Sequence, residues 1–132
     1  MVKTNFIVTG VVSCKNKILL LKRSPTAKTY PNKWSFCSGY PKEFESAEDA
    51  VLREIFEETG LKCRIKKTGK PVIVFDKKIN RIWIIAVYLC EANNDKIKIS
   101  DENADFEWVK RGEIKKYDLV PGLAKDLKSL GF

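Results

Sequence analysis

Three glutamates, Glu54, Glu57 and Glu58, stand at i, i+3 and i+4 in the stretch REIFEETG, residues 53 to 60. On an α-helix that spacing projects all three from one face, within about 100° of arc. Ionised carboxylates this close repel one another and raise one another's pKa. A divalent cation removes the penalty, and hard oxygen donors at this density suit Mg²⁺ or Mn²⁺ rather than zinc. Arg53 can neutralise and orient one of the carboxylates. The competing reading is a solvated acidic helix face, which is the ordinary meaning of such a run.

The surroundings sharpen the choice. The chain of 132 residues has a formal net charge of +8, yet from 42 to 60 only Lys42 and Arg53 oppose Glu43, Glu45, Glu48, Asp49, Glu54, Glu57 and Glu58. An acidic island in a basic protein suits a metal site beside a polyanion-binding surface, although a basic surplus also serves plain solubility. Histidine is absent, which removes Ser-His-Asp, Cys-His and His-ligated zinc chemistry. Cys14, Cys37, Cys63 and Cys90 form no CxxC pair and read as reduced, mostly buried thiols. No apolar run approaches the roughly 20 residues of a membrane span. The opening MVKTNFIVTGVV lacks the pattern of a secretion signal. A cytoplasmic protein with no membrane partner is expected. By size residues 1–132 make a single domain, for which monomer and homodimer are equally compatible with the sequence.

The acidic face needs a helix to carry it. Ser46, with Asp49 three positions on, resembles a capping box, and helical spacing then runs to Thr59, where Gly60 stops it. Val51, Leu52, Ile55 and Phe56 are left for packing. Upstream, Phe6–Ser13 and Lys17–Lys22 read as strands joined by a hairpin at Cys14-Lys15-Asn16. Residues 24–33 form a loop, and Trp34-Ser35-Phe36 a short strand followed by a glycine-containing loop to Glu45. Downstream, Pro71–Asp76 and Arg81–Cys90 read as strands flanking a polar turn, and Phe106–Val109 as a short strand. Leu123, Leu127 and Leu130 mark a C-terminal amphipathic helix with Pro121 near its start. The irregular alternation predicts an α/β fold, a mixed sheet with helices on its faces.

From Gly39 to Leu61 the chain reads Gly39-YPKEF-Glu45-SAEDAVL-Arg53-Glu54-Ile55-Phe56-Glu57-Glu58-Thr59-Gly60-Leu61. This resembles the Nudix box, G-x5-E-x7-R-E-U-x-E-E-x-G-U, with U a bulky aliphatic residue, and all nine defined positions match over 23 residues. Such a match far exceeds the specificity of a lone glycine motif. LLLKR (Leu19 to Arg23), Asn32-Lys33-Trp34, Glu102-NADFE-Trp108-Val109 and the last helix resemble further family segments. Two departures stand out: Cys37-Ser38-Gly39 replaces the frequent Pro-Gly-Gly, and Glu43-Phe44-Glu45 replaces a frequent Gly-Glu turn.

The resemblance implies a Nudix-type α/β/α sandwich around a mixed β-sheet. It implies Mg²⁺-dependent hydrolysis of a diphosphate bond in a nucleoside diphosphate linked to another group, such as a nucleoside triphosphate or ADP-ribose. Carried onto matching positions, Glu57 and Glu58 are the main metal ligands, joined by the Gly39 carbonyl. Glu54 is a third ligand or the base that activates water. Arg53 holds a carboxylate in place, and Glu45 supports the loop. Glu102 is the expected acid from outside the box, with Asp101 and Asp105 behind it. Arg23 and Lys33 are candidate phosphate contacts, and Trp34, Phe36 and Trp83 candidate stacking surfaces. Asp118-Leu119-Val120-Pro121 lacks the asparagine that relatives acting on oxidised guanine nucleotides carry before the last helix. The alternative from another class is a non-catalytic nucleotide- or RNA-binding module on the same fold, although no added RNA-binding segment supports RNA as partner.

Overall fold

The structure, a computed structural model, describes residues 1–132. In chain order it contains β1 (Lys3–Cys14), β2 (Lys17–Arg23), β3 (Trp34–Ser35), β4 (Cys37–Gly39), α1 (Ala47–Thr59), β5 (Cys63–Thr68), β6 (Val72–Asp76), β7 (Arg81–Ala92), β8 (Asn103–Val109), a 3-10 turn (Arg111–Lys116) and α2 (Leu123–Ser129). The strands join one mixed sheet with the path β3-β2-β1-β7-β5, to which β4, β6 and β8 attach through β1, β7 and β2.

The long β1 and β7 form its spine. They run parallel from Lys3↔Arg81 to Ser13↔Glu91, whereas the neighbours pair antiparallel. The β1–β2 hairpin turns through Lys15 and Asn16, both at positive φ (51° and 64°), the twist that a two-residue hairpin requires.

Period-2 alternation splits the apolar side chains between two layers. Val8, Val12, Leu19, Leu21, Tyr88 and Cys90 meet Ala50, Val51 and Ile55 of α1 on one face. Val11, Ile18, Leu20, Ile85 and Val87 meet Ile114, Leu123 and Leu130 on the other. The Leu19-Leu20-Leu21 run is buried on both sides, as a central strand between two helical layers must be. Gly10 of β1 sets the approach of α1: a Cβ there would lie 2.7 Å from Ile55 Cδ1 and 3.0 Å from Val51 Cγ2. The fold is therefore the expected α/β arrangement of a mixed sheet with a helix on each face.

Three local expectations are corrected, and one strand was not foreseen. The loop foreseen after Phe36 begins with β4, because residues 37–39 pair with Gly10, Thr9 and Val8. β5 had no sequence reading; its lysine-rich pattern reflects an edge strand with one solvated face. The strand foreseen at 106–109 starts at Asn103 and bulges at Lys22/Arg23 of its partner. Phe56, foreseen as packing, is half exposed, because the sheet reaches only the Val51–Ile55 side of α1.

Candidate active site

α1 begins where its sequence says it should. Ser46 Oγ accepts a hydrogen bond from Asp49 N at 3.1 Å, and Gly60 closes the helix in the left-handed conformation, its N–H donating to Phe56 O. These caps fix the phase of the helix, and with it the direction of Arg53, Glu54, Glu57 and Glu58.

Arg53 is the hub of the acidic end. Its Nε and Nη2 donate to the two oxygens of Glu45 at 2.8 and 2.9 Å, the forked geometry available to a guanidinium and not to an ammonium. Nη1 donates to Glu54 Oε1 at 2.8 Å and Glu57 Oε2 at 3.1 Å, and Nη2 also reaches the Tyr40 carbonyl. Lys42 N donates to Glu45 Oε1 at 2.9 Å. Arg53 chiefly, with that backbone contact, holds the Glu45 carboxyl at about 2. Glu45 therefore ties the entry loop to the helix through Arg53.

Glu54 and Glu58 behave differently. Burial raises the Glu54 carboxyl; Arg53 opposes the shift, while Glu57 and Glu102 add to it. Burial also raises Glu58 well above the usual carboxylate range, with further contributions from Glu54 and Glu102, against which Asn103 and the Ser38 backbone pull back. Glu58 Oε2 is enclosed without a hydrogen-bond partner. Glu102, on the segment before β8, is thus close enough to act electrostatically on both helical glutamates, and it lines the same cleft as Glu54 and Glu57. Asp101 and Asp105 do not line it.

Gly39 owes its identity to space. Its φ is not positive, but a Cβ there would collide with the Glu54 carboxyl. Ser38 likewise lies in extended β4 and needs no glycine-like backbone, so the change from Pro-Gly costs no strain. The other departure does: Phe44 takes the glycine-favoured conformation at φ 61° and is fully exposed. Cys37 is buried and its thiol is pushed well up by burial, which leaves it inert.

The donors are all hard oxygens, and the unpartnered Glu58 Oε2 together with the raised carboxyls of Glu54 and Glu58 marks negative charge that the protein does not compensate. By donor chemistry the residues fit a divalent cation. They are not a preformed cage, because no three His, Cys, Asp or Glu side chains converge as ligands. Glu57 turns toward Arg53 with its side chain 51% exposed, while Glu58 faces inward.

The cleft, of about 590 Å³, runs from Gly39, Tyr40, Lys42, Arg53, Glu54, Glu57 and Glu102 to an apolar end near α2. Arg23 also lines it; its Nε and Nη2 donate to Thr29 O and Oγ1 at 2.8 and 3.2 Å. Phe36 and Trp83 line it as well. Lys33 and Trp34 do not. Lys33 pairs with Asp118 at 2.9 Å, and Trp34 packs edge-on against Tyr117 at 5.1 Å.

Tyr30 and Asp126 are among the lining residues to which the sequence assigned no role. Tyr30 donates to Asp76 Oδ2 at 2.8 Å and accepts from Trp83 Nε1 at 3.1 Å; nothing in its loop sequence announces this. Asp126 had a signal: with Leu123, Leu127 and Leu130 it completes the i, i+3, i+4, i+7 pattern, as the one charged residue on the apolar stripe of α2.

A family model described as NUDIX domain matches residues 2–130. The chain is 30% identical over 134 aligned positions to "Nucleoside triphosphatase NudI" of Escherichia fergusonii, covering 95% of both. It is 26% identical to the protein of the same name from Escherichia coli, again over 95% of each. Among solved structures it superposes on a MutT NUDIX hydrolase from Burkholderia pseudomallei with TM-score 0.83 at 22% identity, covering 97% of this chain and 98% of that one. It also superposes on the NUDIX domain of Shewanella oneidensis NrtR complexed with ADP ribose, with TM-score 0.77 at 17% identity, covering 98% and 87%.

Proposed function

The chain belongs to the Nudix family, and on that premise we propose that it hydrolyses a phosphoanhydride bond in a nucleotide, residues 1–132 working as one domain. The observation that carries the reading is that one cleft is lined by Glu54 and Glu57 from α1, by Glu102 from the segment before β8 and by Arg23 from β2. The name of the 30% identical relative favours a nucleoside triphosphate as substrate, with ADP-ribose second because a structural neighbour was solved with it.

Glu54, Glu57, Glu58 and the Gly39 carbonyl would hold Mg²⁺ or Mn²⁺, which when bound supplies charge neutralisation for the diphosphate and a more acidic attacking water. Arg53 keeps Glu54 and Glu57 in place through hydrogen bonds, and Glu45 keeps Arg53. Glu102 or Glu54 takes the proton of the attacking water; both flank the cleft, and neither needs histidine. Arg23, oriented by Thr29, donates to a phosphate oxygen. The apolar end near α2 encloses the part of the substrate that does not react. Lys33 and Trp34, engaged elsewhere, receive no substrate role.

A panel of nucleoside triphosphates, ADP-ribose and dinucleoside polyphosphates with Mg²⁺, read by product identity, tests the proposal against Glu57→Gln. Turnover of one nucleotide that vanishes in the variant supports it. Equal activity in both would remove Glu57 from the chemistry and overturn the assignment of the acidic helix; RNA affinity without turnover in the parent would replace hydrolysis with the binding-module reading.

A further inference from the structure

The apolar end of the cleft holds a carboxyl that nothing in the protein answers. Asp126, in the middle of α2, is 5% exposed and lines the cleft beside Leu123, Ile85 and Trp83. Its Oδ1 is fully enclosed and has no hydrogen-bond partner. A carboxyl that only filled space would be replaced without loss by a leucine, as at positions 123, 127 and 130 of the same stripe. An unmade hydrogen bond in the interior instead costs free energy. The cleft is the side from which a partner can arrive.

The lining limits what that partner is. Tyr30, Trp83 and Ile85 offer flat or branched apolar surface, suited to an aromatic ring. With Arg53, Glu54 and Glu102 gathered at the other end for phosphate chemistry, the apolar end is left for a nucleobase. We propose that Asp126 is a specificity-determining residue of this cleft, its carboxyl receiving the amino-bearing edge of a nucleobase. This rests on the reading of the protein as an enzyme of nucleotides and adds the class of base.

The chemistry is selective. An ionised carboxylate accepts the two adjacent N–H groups of guanine. A protonated one accepts from the amino group and donates to the neighbouring ring nitrogen of adenine or cytosine. On uracil and thymine two carbonyl oxygens flank the single ring N–H; they oppose both oxygens of an ionised carboxylate, whereas a protonated one would pair with them, so the rejection of uracil and thymine belongs to the ionised form. Burial alone, with no charged neighbour contributing, pushes Asp126 up to about 7, so both protonation states are within reach near neutrality.

The test compares kcat/KM for ATP, GTP, CTP, UTP and dTTP with Mg²⁺ at about pH 8.5, where Asp126 is ionised, in the parent, Asp126→Asn and Asp126→Leu. Calorimetric binding of AMP, GMP, CMP and UMP to the same three proteins accompanies it. The expected result is a parent preference of at least about tenfold for the best amino-bearing nucleotide over UTP, a floor well below the rejection that a site built around a hydrogen bond can reach against an analogue that cannot make it. Asparagine, which offers an amide N–H to a carbonyl, brings that ratio close to one. Leucine removes the preference in both turnover and binding. A parent without base preference overturns the inference and leaves hydrolysis standing, as does a preference that survives in both variants. Absence of turnover with base-selective, Asp126-dependent binding of the monophosphates leaves the inference standing and removes the hydrolytic reading. Absence of both overturns both. Melting temperatures of the two variants at or above the parent's show that any lost preference is not lost folding.

Discussion

The two ends of the cleft handle buried negative charge in opposite ways. At the α1 end the carboxylates are crowded, and one guanidinium ties Glu45, Glu54 and Glu57 together within 2.8 to 3.1 Å. Even so, Glu58 is left raised, with its Oε2 unpartnered. At the α2 end a single carboxyl stands alone among apolar side chains with no cation near it. The first arrangement concentrates charge beyond what the protein can neutralise, so what it calls for is a cation. The second isolates one hydrogen-bonding group, so what it calls for is a neutral donor. A phosphate-bearing substrate with a base at its far end presents both needs along one molecule.

The comparison breaks first at Glu58. Glu58→Gln should lower kcat by roughly 10²- to 10⁴-fold, the range associated with losing a catalytic group or its metal support. Because the variant discards a desolvated charge, its melting temperature without metal should rise. Mg²⁺ should raise the melting temperature of the parent more than that of the variant. A variant that keeps full turnover would strip the acidic end of its proposed role. Gly39→Ala tests the same end through shape: the added methyl displaces the Glu54 carboxyl, and activity should fall about 10- to 100-fold, as when a supporting group is disturbed. Unchanged circular dichroism would locate the damage in the site.

The other end is sharpened by pH. Asp126 has a folded-state pKa near 7 against an ordinary 3.8, so between those values the native state binds more protons than the unfolded chain. Stability should therefore decline as pH rises from about 4 to 7, and level off above. Glu45 acts in a different window and with the opposite sign: its stabilising contribution is complete above its ordinary 4.5 and is lost as pH falls toward 2. Asp126→Asn should make the upper slope shallower, leaving the share of the raised Glu54 and Glu58, and leave the lower one. At pH 8 Asp126→Leu should gain about 1–3 kcal/mol, the usual cost of an unsatisfied buried polar group. Urea unfolding at a series of pH values reads both effects, and an upper slope unchanged in both variants would show that Asp126 is already satisfied in solution. The smallest effect concerns the loop before α1. Phe44→Gly should stabilise by about 1 kcal/mol by relieving a left-handed backbone, with turnover unaltered.

Legibility followed the range of the interactions. α1 could be read because Ser46 and Gly60 are local punctuation and the Val51–Ile55 side repeats with the helical period. Glu54, Glu57, Glu58 and Arg53 could be placed for the same reason, since spacing along one helix is spacing in space. β4 escaped notice because three residues carry no period; their pairing with β1 is a contact across about thirty positions. β5 escaped because an edge strand rich in lysine looks like a solvated loop. Phe56 was misplaced because periodicity says which residues share a side, not how much of that side the sheet covers.

What the sequence by itself determined was the identity and phase of the acidic helix, its caps, and the family in which such a helix occurs. Local hydrogen bonding and the 3.6-residue repeat suffice for that. Only the tertiary structure decided which partners meet it. It brought Glu102 across from the β8 side, turned Lys33 and Trp34 away from the cleft, and set Asp126 unpaired at the far end. Those outcomes depend on how strands distant in the chain register against one another, and the register is decided by burying two apolar layers at once, a cooperative event that no short stretch encodes.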